Sequence, residues 1–136
     1  MIHDLKIFQK TYDFLFWTKQ VVQKFAKAHK YSLGLQLEGE ELELLKAIVR
    51  ANSARTGRKE LVEECLVRFE MVRVLVRLSK DFKLITLKQY EFSSERLLEI
   101  GRMLGGWLNY SVGTVGKRGG GGVDSRSFPA QLWCGA

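Results

Sequence analysis

Proline is almost missing from this chain: Pro129 is the only one among 136 residues. A proline inside a helix removes an amide donor and clashes with the preceding turn. Long uninterrupted helices are therefore permitted nearly everywhere. Cysteine is scarce too. Cys65 and Cys134 lie too far apart for a disulfide framework or a zinc site. Cys65 falls on an apolar helix face and reads as a small buried hydrophobe, whereas Cys134 reads as an exposed thiol. The two histidines, His3 and His29, lie at predicted helix ends. Neither has a cysteine or carboxylate at metal or triad spacing. These shortages leave catalysis, a metal or another cofactor without support. The opening MIHDLKIFQK lacks the apolar region of a secretory signal, and no apolar run approaches membrane-spanning length. The expectation is a soluble cytoplasmic protein with no membrane partner.

Hydrophobic residues make up 46% of the chain, enough for the core of one domain, and the net charge is +7. A basic balance favours nucleic acid or another polyanion and says nothing about fold. Four segments carry helical spacing. The first runs from Asp4, its expected N-cap, to about Ala28. Leu5, Phe8, Tyr12, Leu15, Val22 and Ala26 form its expected inward stripe, widened by Ile7, Phe14, Val21 and Phe25. The second runs from about Ser32 to Ala54 on Leu33, Leu37, Leu44, Ile48 and Ala51, with Leu45 and Val49 alongside. Gly34 and Gly39 weaken it by roughly 1 kcal/mol each relative to alanine. The third runs from about Lys59 to Phe82. The fourth opens at Thr86, where Thr86-Leu87-Lys88-Gln89 has capping-box spacing, and its inward residues are Leu87, Tyr90, Leu97, Leu104 and Leu108. Gly101 and Gly105, one turn apart, allow a close helix approach, and Gly105-Gly106 is a point of fraying.

The loops expected between them, His29–Tyr31, Arg55–Arg58 and Lys83–Ile85, are short, which makes sequential helices antiparallel neighbours. The predicted fold is all-α, an up-down-up-down antiparallel four-helix bundle over residues 1–110. Matched helices of about 36 Å fit that arrangement. From Ser111 the sequence turns glycine-rich and loses periodicity, so 111–136 reads as a flexible tail. Its end carries Phe128, Leu132 and Trp133.

The third segment holds more apolar surface than its own chain can cover. Phe69, Val72, Leu75, Val76, Met71, Leu78, Val67 and Val74 sweep about twice the roughly 100° that a core-facing helix needs. Val72 and Val76 are assigned to the protomer core. Val67, Met71, Val74 and Leu78 are assigned to a seam with another subunit. Arg73, Arg77 and Lys80 share the remaining sector, where Leu66 is the apolar exception. Their i, i+4, i+7 spacing puts the charged heads on one face, and arginine suits phosphate recognition. Arg68 and Lys83 fall nearer the core side, at a rim. Arg55, Arg58 and Lys59 cluster at the second loop. On the first helix Lys6, Lys10, Lys24 and Lys27 share the outward face with Trp17, which is placed either to stack a base or to meet a subunit. The nucleic-acid-binding set is thus Arg73, Arg77, Lys80, Arg68, Lys83, Arg55, Arg58, Lys59, Lys24 and Lys27. The carboxylates Glu38, Glu40, Glu41 and Glu43 are dense, but a di-iron bundle needs Glu-x-x-His on paired helices and none is present. They read as a solvated or intersubunit acidic face. Gly113-Thr114-Val115-Gly116-Lys117 lacks the full spacing and strand of a phosphate loop.

Three stretches, LKIFQKTYDFL (5–15), VRVLVRLSKDFKLITLKQYEF (72–92) and LLEIGRMLGGWL (97–108), resemble the accessory variability determinant of diversity-generating retroelements. That family belongs to the wider class of four-helix bundles linked to bacterial ribosomal RNA intervening sequences. The resemblance covers roughly residues 4–109. It implies a ring-like homopentamer with a basic surface, associated with the retroelement reverse transcriptase and with structured template RNA or RNA/DNA. The implied role is non-catalytic support of mutagenic complementary-DNA synthesis, and Arg73 and Arg77 are the positions carried over. The alternative is an oligomeric protein-interaction scaffold that binds no nucleic acid.

Overall fold

The computed structural model describes residues 5–115, with side chains through Ser111. Its four long helices are α1 (Lys6–Val22), α3 (Leu35–Ser53), α4 (Arg58–Asp81) and α5 (Leu87–Val115). A short turn of helix, α2 (Lys27–His29), and a π-helical turn (Lys30–Gly34) lead directly into α3. There is no strand among the described residues. The chain runs up-down-up-down: α3 packs on α4, α4 on α5, and α1 closes the bundle against α3 and α5. The long helices have 17, 19, 24 and 29 residues, rather than matched lengths.

The helix boundaries differ from expectation at the first connection and at both ends. The chain turns at Gln23–Ala26, and the expected loop at His29–Tyr31 is helical. No glycine or proline marks that turn. It is built from backbone bonds, Lys24 N to Val21 O at 3.0 Å and Phe25 N to Val22 O at 3.0 Å, while Phe25 is buried at 6% exposure. Gly34 is needed here: a Cβ on it would lie 2.6 Å from Val22 Cγ1. The N-cap of α1 is Leu5, without a side-chain bond. Asp4, expected in that role, lies outside the described residues, as do His3, Cys134 and the aromatic end of the tail. At the other end α5 passes Gly105-Gly106 unbroken and continues to Val115. Helix α5 thus continues past residue 110, and Ser111 is buried.

The remaining ends follow local chemistry. Thr86 and Gln89 form the reciprocal capping box, Gln89 N donating to Thr86 Oγ1 at 3.0 Å and Thr86 N to Gln89 Oε1 at 2.9 Å. Beyond α4, Lys83 takes a left-handed φ of 60°. Its N–H donates to Lys80 O and Leu84 N to Ser79 O, the double closure of a Schellman cap. Gly57, at φ 70°, turns the chain into α4.

The core is formed by Phe69, Val72 and Val76 of α4 with Leu44, Ile48 and Ala51 of α3 and Leu97, Ile100 and Leu104 of α5. Leu66 joins it, although it shares the angular sector of the cations. Cys65 is fully buried, and desolvation pushes its thiol up to about 12, so it serves as a core side chain. Three stripe assignments change. On α1 the buried row is Ile7, Thr11, Phe14, Thr18 and Val22, while Tyr12 is 49% exposed. On α3 Val49 points out at 38% exposure, and on α5 Leu87 does so at 68%. Gly101 and Gly105 are both buried, as a close helix contact requires.

Candidate nucleic-acid interface and subunit seam

The outer surface of α4 carries the apolar excess. Val67, Met71, Val74 and Leu78 follow i, i+4, i+7, i+11 spacing and remain 38–58% exposed. At 100° per residue they form one narrow row along the helix. A continuous exposed row of large apolar side chains marks an interaction surface. Arg73, Arg77 and Lys80 lie on one flank of that row, between it and the core. Arg68 lies on the other flank.

The flank cations differ in how free they are. Arg73 is largely covered and pairs with Glu70 at 3.2 Å. Burial pushes the Glu70 carboxyl up, against the lowering effect of Arg73. Arg77 is exposed and makes no ion pair among the described residues. Lys80 Nζ stands 4.6 Å over the Tyr90 ring and 3.8 Å from Asp81. With Glu70 and Asp81 beside three cations, the stripe alone holds only a small excess of positive charge.

The larger excess is at the bundle end where the α1–α3 and α4–α5 connections meet. The His29 and Phe82 rings are 5.4 Å apart, so these turns are neighbours. Residues 23–31 and 80–88 contain six lysines, Lys24, Lys27, Lys30, Lys80, Lys83 and Lys88, against the single acid Asp81. The structure thus brings Lys24, Lys27, Lys80 and Lys83 to one end. Lys30 and Lys88 belong with them and were missed. Lys30 lies in one predicted loop and Lys88 just beyond another, so folding the helices as antiparallel pairs would have found them.

Other expected site residues are separated or engaged. Arg55, Arg58 and Lys59 sit at the opposite end. Arg58 donates to the carbonyls of Ala51, Asn52 and Ala54 at 3.1, 3.3 and 3.0 Å. It therefore caps the C-terminal end of α3, whose last carbonyls lack helical partners. Lys59 is 4.0 Å from Glu63. Arg68 bridges Glu40 of α3 at 3.2 Å and Glu64 at 3.0 Å, and its Glu40 bond holds its proton more firmly. Trp17 is not an open platform on the lysine face: it is half-buried between Phe14 and Phe92, with ring centroids 5.5 and 5.3 Å away.

The acidic run is not a solvated face as a unit. Glu38 pairs with Lys19, Glu40 with Arg68 and Glu43 with Lys46. Glu41 is 1% exposed and accepts a 2.7 Å bond from Thr18 Oγ1, leaving its Oε1 unpartnered. Burial pushes its carboxyl well above the usual range, eased by the Thr18 bond and reinforced by Glu38. No cluster of potential metal ligands occurs among the described residues. No helix among them is long and apolar enough to cross a membrane.

Fold and surface together define an antiparallel four-helix bundle with an exposed apolar row, a basic flank and a lysine-rich end. The bAvd-like family model matches residues 5–111, and the chain belongs to that family. The match spans the bundle and agrees with the resemblance carried by the 5–15, 72–92 and 97–108 stretches. No curated protein and no solved structure matches the chain.

Proposed function

We propose that this protein is a non-catalytic accessory subunit of a diversity-generating retroelement. It assembles as a homo-oligomer, a pentamer by family resemblance. It holds template RNA or its RNA/DNA product beside the reverse transcriptase and so supports mutagenic retrohoming. The observation that carries this reading is the separation of surfaces on α4. The Val67–Met71–Val74–Leu78 row is free for protein contact while Arg77 and the adjoining lysine end are free for phosphate. Repetition around an oligomer multiplies that charge. Each neutralised phosphate releases a counterion, so affinity should fall steeply with salt. The test is mass in solution, alone and with the transcriptase, together with binding of structured RNA across a salt series. A monomeric mass, no complex with the transcriptase, or salt-independent RNA affinity would refute it. The pairing of Arg73 with Glu70 and Arg68 with Glu40 favours the alternative scaffold, whose charges serve protein contacts only. Its mark is a stable oligomer with no RNA affinity.

A further inference from the structure

A second surface, away from α4, has a composition suited to a nucleobase. Between α1 and α5 lies a cleft of about 150 Å³. This is well below the roughly 300 Å³ at which drug-sized sites begin, so it has room for one small ring system. Its aromatic wall is Trp17 and Phe92, with Phe92 38% exposed. The planar Arg96 guanidinium already stands 4.8 Å over the Phe92 ring. A base that displaces the guanidinium from Phe92 would meet an aromatic face of the kind that stacks bases in single-strand-binding proteins, with Arg96 free to close over it.

The rim supplies the remaining chemistry. Lys10 is held only by Glu99 at 3.1 Å, with both side chains more than a third exposed. An exposed pair of this kind is weak, so Lys10 can exchange its carboxylate for a phosphate. Asp13 accepts one bond, from Gln9 Nε2 to its Oδ1 at 2.9 Å, and lines the same cleft. Carboxylates accept from ring and exocyclic amines and repel carbonyl edges. Lys6 and Lys88, one turn beyond Lys10 and Phe92, are exposed on the two helices, on a path a strand backbone can follow.

The geometry points to a base-capture site in which Phe92 and Arg96 sandwich one unpaired base beside Trp17, guanine in preference to uracil, Asp13 reads its amine edge and Lys10 meets its phosphate. The inference shares with the proposed function only the premise that nucleic acid is the ligand. Duplex RNA has no unpaired base to offer, so its binding reads the lysine end and the α4 flank alone.

The experiment uses the full chain with Trp107→Phe and Trp133→Phe, so that Trp17 is the sole tryptophan emitter. Guanosine monophosphate should quench Trp17 saturably, and uridine monophosphate should bind at least about tenfold more weakly. Asp13→Asn should erase most of that preference. Phe92→Leu should lower affinity for single-stranded RNA on the order of tenfold and leave duplex affinity unchanged. Absence of saturable quenching at millimolar guanosine monophosphate, equal binding of the two nucleotides, or a preference that survives Asp13→Asn overturns the site. Asp13 is exposed, so that variant remains informative if Phe92→Leu does not fold. If guanosine monophosphate binds but duplex RNA does not, the cleft stands and the α4 reading fails. If duplex RNA binds and the nucleotide does not, the reverse holds.

Discussion

Helices α1 and α4 both look too apolar in sequence, yet they solve the problem differently. On α4 the buried row is Val62, Cys65, Leu66, Phe69, Val72, Val76 and Ser79, nearly all apolar, and the surplus forms one straight exposed row. On α1 the buried row is Ile7, Thr11, Phe14, Thr18 and Val22. Two of its five places are hydroxyls, and larger groups such as Tyr12 and Phe16 are left outside. Apolar content therefore does not identify the inward face. A buried threonine is acceptable when its hydroxyl has a partner, and both do: Thr11 donates to Ile7 O at 2.8 Å and Thr18 to Glu41 at 2.7 Å. Helix α4 is held by packing, whereas α1 is held partly by a buried polar pair.

The largest effect should come from emptying the α4 side. Phe69→Ala removes a side chain with 0% exposure and should cost about 3–5 kcal/mol in chemical denaturation. On the α1 side, Thr18→Val leaves both Glu41 oxygens unpartnered and should cost about 1–3 kcal/mol. Combining it with Glu41→Leu should recover most of that loss, because an apolar pair can replace a buried polar one. Additive losses in the double variant would show that the pair does not couple α1 to α3.

The same pair makes stability depend on pH. Because burial raises the Glu41 carboxyl in the folded state, its contribution is complete below the ordinary value of 4.5. That contribution is lost as pH rises through the raised folded value. Glu41→Gln cannot ionise. Its stability relative to the parent should therefore improve steadily above pH 4.5 and then level off, as read by melts across a pH series. A difference that stays flat with pH would mean the carboxyl titrates normally.

Two glycine substitutions should act with opposite sign on one helical segment. Gly34→Ala places a methyl 2.6 Å from Val22 Cγ1, which belongs to a packed branched side chain. It should destabilise by about 1–3 kcal/mol. Gly39→Ala meets nothing within 4 Å and should stabilise by about 1 kcal/mol. Equal shifts in melting temperature for the two would contradict the close approach of α1 and the π-helical turn.

How much of this was legible follows from the same contrast. Three-four spacing exposed the helices, and Thr86 with Gln89 announced the start of α5. The exposed apolar row on α4 was readable because the core row beside it is apolar and leaves the surplus in an orderly line. The inward face of α1 was not, because Thr11 and Thr18 look like surface residues until Glu41, far along the chain, is seen beside one of them. The turn at Gln23–Ala26 carries no breaker residue, so periodicity ran past it. On the candidate flank, spacing on one helix grouped Arg73, Arg77 and Lys80 on one face. It could not show that Arg58 caps α3 or that Arg68 reaches Glu40. Nor could it show that Lys30 and Lys88 join Lys24, Lys27 and Lys83 at one end.

The most direct test of the division of α4 into seam and phosphate flank is one titration. Structured RNA is bound to the Arg73→Glu, Arg77→Glu double variant across a salt series, with mass in solution followed in the same samples. The expected result is an unchanged oligomer with weakened RNA affinity and a shallower dependence of log affinity on log salt, by roughly one unit per lost phosphate contact. Dissociation of the oligomer with RNA affinity and salt slope unaltered would contradict it.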